Sequence, residues 1–387
     1  MIRTWLFTTF LLLALFVGKA QTLQTGADRL MSDCKQLNGK RIALVVNQTS
    51  VVGANRTHLV DTLLAKGINI KLLFAPEHGF RGTADAGEKV TNSIDSKSQL
   101  PIVSLYGKNK KPTKEQLNDV DVVIFDIQDV GARFYTYIST LYYVMEACAE
   151  QNKKLIVLDR PNPNDFVAGP VMQDSLRSFV GIVPIPLLHG LTVGELAKMI
   201  NSEKWLKSKT NICPLQVVKM SGWKHRQPYS LPIKPSPNLP NDRAISLYPS
   251  LCFFEATGVS IGRGTTFPFQ VIGYPDSTLG NFTFTPISLA GFEKNPLQKD
   301  RKCYGIDLRN TPFEGGFTLS YFLDFYRKSN LGERFFTNPR FFDQLVGNTT
   351  VRRMIVDGKS ENDINEVWQK ELSHYKKMRK QYLLYSE

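Results

Sequence analysis

Between residues 40 and 220, short and mainly apolar runs alternate with segments of helical periodicity, and this alternation restricts the fold more than any other feature. It predicts strands at 42–46, 68–74, 102–105, 120–125, 155–158 and 215–218, and helices at 58–66, 114–117, 135–151 and 192–202. Strands that lack polar alternation are buried on both faces, and strands separated by helices pair in parallel. The expected fold is therefore α/β, its first half a Rossmann-like, mostly parallel sheet with helices on both sides. Thr192, with Glu195 three residues on, forms the clearest helix start in this stretch.

Sheets of this kind bind ligands beyond the carboxyl ends of their strands, so polar residues just past each run are candidates. The run 68–74 leads into Ala75-Pro76-Glu77-His78-Gly79-Phe80-Arg81-Gly82, with Asp85 and Glu88 soon after. The run 120–125 leads into Asp126, Asp129, Arg133 and Tyr135, and 155–158 into Asp159, Arg160 and Asn162. Three strand ends thus deliver an acid with an arginine close behind, and they are expected to converge on one groove. Acids, amides and tyrosines at a single rim suit glycosidic cleavage: carboxyls act as acid and base, while aromatic faces and amides hold the ring. Glu77, His78, Asp85 and Asp126 are also potential metal ligands. With five histidines and no His-x-x-x-His spacing, metal is the weaker reading. The turn at 47–53 has no G-x-G-x-x-G and the chain has no Walker A sequence, so neither NAD nor ATP is expected.

Pro232, Pro235, Pro237 and Pro240 mark a change of composition. They divide the chain into a Rossmann-like domain, 21–230, and a smaller α/β domain, 231–387, with the site in the cleft between them. The second part predicts strands at 253–258, 269–273 and 305–308 and a helix at 317–326. A final helix, 361–384, puts Ile364, Val367, Trp368, Leu372, Tyr375 and Met378 on one face. Its polar candidates are Asn238, Glu255, Arg263 and Thr265. Gly258-Val259-Ser260-Ile261-Gly262 matches the G-x-S-x-G elbow in form, but no helix start follows the serine, so it receives no nucleophilic role.

Residues 1–20 read as a secretory signal: Arg3, an apolar run at 5–17, then Gly18-Lys19-Ala20 before the cut. The run is short for a membrane span, and no stable membrane insertion is expected. The product would be exported, to the periplasm or beyond. Lys and Arg number 48 against 35 Asp and Glu, a formal charge of +13, which fits an acidic surface or polymer: cell-wall glycan, anionic lipid or nucleic acid. The lysines are scattered rather than grouped with aromatics, which argues against nucleic acid. Five cysteines, Cys34, Cys148, Cys213, Cys252 and Cys303, show no metal spacing.

Taken together, the blocks at 74–82, 85–90, 126–137, 159–164, 190–196, 236–240 and 262–266 resemble a bacterial family long known only as a domain of unknown function. Its characterised members are exo-β-N-acetylmuramidases of peptidoglycan turnover. The resemblance implies release of N-acetylmuramic acid from the non-reducing ends of muramyl sugars, without a cofactor. It implies Glu77 as catalytic acid/base with His78 beside it. Asp126 or Asp129 would be the second carboxylate, or would orient the 2-acetamido group. Arg133 or Arg263 would pair with the lactyl carboxylate, and Arg81, Asp85, Tyr135, Asn162, Asn238, Glu255 and Thr265 would contact substrate. One departure is Glu255-Ala256-Thr257-Gly258, where the family leads one to expect Glu-Gly-Thr-Asn. A metal-dependent esterase or amidase and a non-catalytic glycan-binding protein remain as alternatives.

Overall fold

The computed structural model describes residues 22–81, 92–209 and 212–387; the expected signal segment and Asp85 lie outside them. The main sheet has seven strands, in spatial order Leu215–Val218, Lys154–Leu158, Val122–Asp126, Ile42–Val46, Ile70–Ala75, Pro101–Ser104 and Ser93–Ile94. All neighbours are parallel except the short Ser93–Ile94 edge. Read from the Pro101–Ser104 side, the parallel strands follow the 3-2-1-4-5-6 order of a Rossmann fold.

The run Ile42–Val46 owes its unbroken apolar character to double coverage. Ile42, Leu44 and Val46 pack toward Leu59, Val60 and Leu63 of the helix Leu59–Ala65. Ala43 and Val45 point the other way, into the core of the helix Tyr137–Glu150. Successive strand residues face opposite sides, so both sets must be apolar. Thr192 caps the helix Val193–Ser202 in a reciprocal pair with Glu195, as the sequence predicts.

An antiparallel hairpin, Val167–Val171 with Pro186–His189, extends the first half. The second half holds a three-stranded antiparallel sheet of Val271–Tyr274, Cys303–Asp307 and Phe282–Phe284, with helices Asp242–Leu251, Ser320–Ser329 and Pro339–Val346 around it. Its phenylalanine-rich interior is continuous with the interior of the first half.

Two expectations fail here. The strand predicted at 253–258 is instead a 3-10 turn, Cys252–Ala256. Phe253 and Phe254 both meet Phe322, at 6.5 and 4.9 Å between ring centres, and adjacent residues of a strand could not both face one core. The predicted final helix is broken into Glu361–Glu366 and Gln369–Arg379, leaving Val367 exposed while Trp368 turns inward. The second piece packs on the strand Val167–Val171, and Tyr375 donates to the His189 carbonyl at 2.9 Å. The chain end therefore returns to the first half.

Candidate active site

The crevice between Ile42–Val46 and Val122–Asp126 is where this topology takes nucleotides. Here the protein fills it with its own groups. Asn47, Thr49 and Ser50 are buried there. Thr49 Oγ1 accepts from the Gln128 amide at 3.0 Å, and the Ser50 hydroxyl donates to the Asp126 carbonyl. Arg160 grips both Asp126 oxygens, at 2.6 and 2.8 Å.

The open cavity lies one strand over, beyond Ile70–Ala75. Pro76 ends that strand, and His78, in a left-handed conformation at φ 70°, turns the chain with Gly79 at φ 75°. A histidine in that region is uncommon and costs on the order of 1–3 kcal/mol, which surrounding contacts must hold. The cavity encloses about 260 Å³. Glu77, His78, Tyr106, Tyr135, Thr136 and Tyr137 line it from the sheet edge, while Asn238, Tyr248, Glu255, Arg263 and Phe341 line it from the second half. A second chamber of about 360 Å³ continues from it, sharing Glu77, Glu255, Arg263 and Phe341 and adding Glu293.

Glu77 is held by hydroxyls. Thr136 Oγ1 donates to its Oε2 at 2.8 Å, and the Tyr106 hydroxyl also bonds its side chain. Burial and the charge of Glu77 hold the Tyr106 hydroxyl well above the usual tyrosine range, so it stays a donor. Burial does the same for Tyr137, whose hydroxyl faces the Glu77 carbonyl at 3.4 Å.

On the opposite wall Arg263 donates through Nε to Glu255 Oε1 at 3.1 Å and through Nη2 to the same oxygen. Its Nη1 lies 3.8 Å from Glu293, and its plane lies over the Phe269 ring at 5.2 Å. Burial opposes the charge of Arg263, but Glu255 outweighs it and keeps the guanidinium firmly protonated. Asn238 donates to the Phe292 carbonyl at 3.2 Å, while its buried Oδ1 accepts from no group among the described residues. A buried acceptor of this kind awaits a donor from a ligand or water.

The structure thus gathers Glu77, His78, Tyr135, Asn238, Glu255 and Arg263 in one cavity. It does not gather the three strand-end acids. Asp126 is fully buried against Arg160 and lines no part of the cavity. Asp159 accepts from Thr192 Oγ1 at 2.7 Å, the Gly194 amide at 2.8 Å and the Tyr385 hydroxyl at 2.6 Å, so it anchors the chain end. Asp129 accepts from the Gly131 amide at 2.7 Å and lies 3.6 Å from His189. A carboxylate sunk at a strand end must be paired, and Asp126 and Asp159 find their partners within the fold, whereas Asp129 leaves its Oδ1 buried without a hydrogen-bond partner among the described residues.

Other expected contacts are structural too. Arg81 pairs with Asp95 at 3.0 and 2.8 Å. Arg133 is buried and meets no carboxylate, which pushes its pKa down to about 9. It donates to the carbonyls of Pro170, Ile185 and Leu345, and so braces the cavity wall at Leu345 from behind. Asn162 bonds the Leu191 carbonyl and the Asn164 amide, and Thr265 closes a turn onto the Gly262 carbonyl at 2.6 Å. Of the divergent segment 255–258, only Glu255 lines the cavity. Ser260 is bridged to Gly273 through its backbone and starts no helix. Among the described residues, no group of three or more His, Cys, Asp or Glu is placed to hold a metal ion.

Sequence reasoning passed over Tyr106, Thr136, Tyr137, Tyr248 and Cys252. Tyr106 follows the run 102–105, so the strand-end rule applied evenly would have found it. Tyr248 and Cys252 reach the cavity only through tertiary packing of the helix Asp242–Leu251 and carry no local signal.

These features define a two-part α/β protein with a carboxylate- and tyrosine-lined cavity at the edge of a Rossmann-like sheet. Models for the N-terminal and C-terminal parts of the exo-β-N-acetylmuramidase NamZ match residues 42–243 and 246–385. The chain is 39% identical to the peptidoglycan β-N-acetylmuramidase NamZ of Bacillus subtilis strain 168, over 95% of its own length and 92% of that protein's. Two crystal structures of DUF1343-family proteins from Bacteroides fragilis NCTC 9343 superpose on it. One is 46% identical with a TM-score of 0.86, the other 32% identical with 0.81, each covering 94% of this chain and 99% of its own. This chain belongs to the NamZ exo-β-N-acetylmuramidase family.

Proposed function

We propose that the protein is an exo-acting glycoside hydrolase that releases N-acetylmuramic acid from the non-reducing ends of peptidoglycan fragments. The observation that carries this reading is the setting of Glu77, a cavity carboxyl steadied by the Thr136 and Tyr106 hydroxyls. So held, Glu77 is placed to deliver a proton to the glycosidic oxygen as the leaving sugar departs, and water supplies the new anomeric hydroxyl. Glu255 takes the place first given to Asp126 or Asp129. Fixed by Arg263, it answers the positive charge that develops at the anomeric carbon, directly or through the 2-acetamido group. Asn238 Oδ1 offers an acceptor to the sugar, and Tyr137 and Tyr248 offer ring faces.

Arg263 is the arginine or lysine among the described lining residues of both chambers, and it is the partner for the lactyl carboxylate. The inner wall consists of buried Phe134, Tyr135, Tyr248 and Phe269, so a glycan enters by its terminal unit. At about 260 Å³ the cavity is just below the roughly 300–1,000 Å³ of drug-sized sites and suits one sugar. The name of the Bacillus relative supports this substrate, and the N-terminal pattern supports export to the periplasm or beyond, where such glycans are met. The test is hydrolysis of a chromogenic N-acetylmuramide beside its N-acetylglucosaminide counterpart. Preferential cleavage of the muramide is expected; cleavage of the glucosaminide alone contradicts the assignment.

A further inference from the structure

We propose that the basic, aromatic cleft on the far side of Phe179 is a subsite for the carboxylate-bearing part of the leaving chain. The proposal rests on the muramidase reading and extends it outward from the bond being cut. Phe179 belongs to two walls at once: it lines the catalytic cavity and also a separate cleft of about 590 Å³. Its ring lies 6.4 Å from that of Tyr106, which bonds Glu77, and is stacked 6.4 Å from Tyr143 of the cleft. A line of ring faces therefore runs from the catalytic carboxyl into the cleft. Glu77 marks the leaving-group side of the reaction, so a chain leaving past Tyr106 would cross Phe179.

The cleft is built for negative charge. Lys110, Lys111, Arg177 and Lys207 line it, against Glu146 and Glu150. Lys111 engages both of those acids, at 3.0 and 2.9 Å. Lys110 and Lys207 form no ion pair among the described residues, and Arg177 Nη1 lies 3.9 Å from the exposed Asp174. Lys110 rests over the Phe179 ring at 4.6 Å, and Arg177 lies over Tyr142 at 5.1 Å. Arg177 Nη2 and Ser178 Oγ are both buried without a hydrogen-bond partner among the described residues. Buried donors left open beside these cations suit a carboxylate, and the stacked rings suit the sugar that bears it. In a peptidoglycan fragment that carboxylate comes from a second muramic acid or from its stem peptide.

The test compares the wild type with Arg177→Gln/Lys110→Gln on three substrates, with melting temperature as a check on folding. These are the chromogenic N-acetylmuramide, a peptide-free tetrasaccharide with a second muramic acid, and a peptide-bearing fragment. On the chromogenic substrate kcat/KM should stay within about twofold, since its leaving group ends short of the cleft. On a carboxylate-bearing chain it should fall roughly tenfold or more, mainly through KM, with the difference shrinking as salt rises. Loss with the peptide-free tetrasaccharide alone assigns the subsite to the lactyl carboxylate, which the amide bond to a stem peptide would remove; loss with the peptide-bearing chain alone assigns it to the stem peptide, and loss with both shows that it takes a carboxylate from either. Equal effects on all three substrates, or on none, overturn the proposal. A wild type inactive on every muramide would instead sink the muramidase reading. The subsite is then decided by calorimetric binding of the peptide-bearing fragment, where equal affinity for wild type and variant refutes it.

Discussion

Thr136 Oγ1 donates to Glu77 Oε2 at 2.8 Å, across 59 residues of chain. The bond joins the turn beyond one parallel strand to the residue that precedes the helix Tyr137–Glu150, and with Tyr106 it fixes the direction of the carboxyl. Thr136→Val, which keeps shape and removes the donor, should lower kcat on the chromogenic muramide by on the order of 10- to 100-fold, leaving KM nearly unchanged. Tyr106→Phe should act in the same direction and alter the pH profile of kcat. A pure rise in KM would show that these hydroxyls serve binding instead.

Asp126 and Arg160 form a buried pair that lines no part of the cavity. Asp126→Ala leaves the guanidinium uncompensated and should cost about 3–5 kcal/mol of stability by denaturant unfolding. The fraction that still folds should turn over at a near-normal rate, measured against titrated active sites. Full stability with lost turnover would restore the role that the sequence alone suggested.

The two arginines first proposed for the lactyl group separate by experiment. Arg263→Met should reduce selectivity for muramide over glucosaminide roughly tenfold or more, because it removes the cation of the cavity. Arg133→Met should destabilise the protein, since three carbonyls lose their donor, and leave that selectivity intact. The ratio of kcat/KM values on the two glycosides checks both outcomes.

The chain end adds a dependence on pH. His225 bonds Asp165 at 2.9 Å and Glu195 at 3.0 Å, and its amide donates to the Ser386 carbonyl. Burial works against its charge, but the two acids raise its pKa from 6.5 to about 9. This stabilisation is fully present below pH 6.5 and is lost as pH rises through 9. Burial and Glu195 lift the Asp159 carboxyl from 3.8 to about 7, so its contribution also fades with rising pH, earlier, between about 4 and 7. The melting temperature should therefore decline from pH 6.5 to 9, and His225→Gln should flatten that decline. A wild-type profile level across this window would contradict the scheme.

How far the sequence could be read depended on how local the cause was. The strand 42–46 coincides with the one observed because burial on both faces leaves a purely apolar run; 215–218 coincides too, although Gln216 interrupts it and its four residues are only half-buried at the sheet edge. Thr192 was legible because a capping box is complete within four residues. Phe253 and Phe254 were not, since only the distant Phe322 explains why the chain tightens there. Glu77 and Asp126 look alike from sequence, each an acid just past a strand. Which of them meets the cavity depends on Arg160, 34 residues beyond Asp126, turning back to take its carboxylate. Glu255 was found as a sugar contact, but its place facing Glu77 needed the packing of the second half over the sheet edge.

The central claim is that Glu77 carries the proton to the leaving oxygen. Its most direct measurement pairs single-turnover hydrolysis of the chromogenic N-acetylmuramide by Glu77→Gln with binding of free N-acetylmuramic acid to the same variant. The account predicts turnover reduced by at least about a thousandfold, within the span of acid catalysis and the contacts it requires, while sugar affinity and melting temperature stay close to wild type. Turnover within about tenfold of wild type would contradict it.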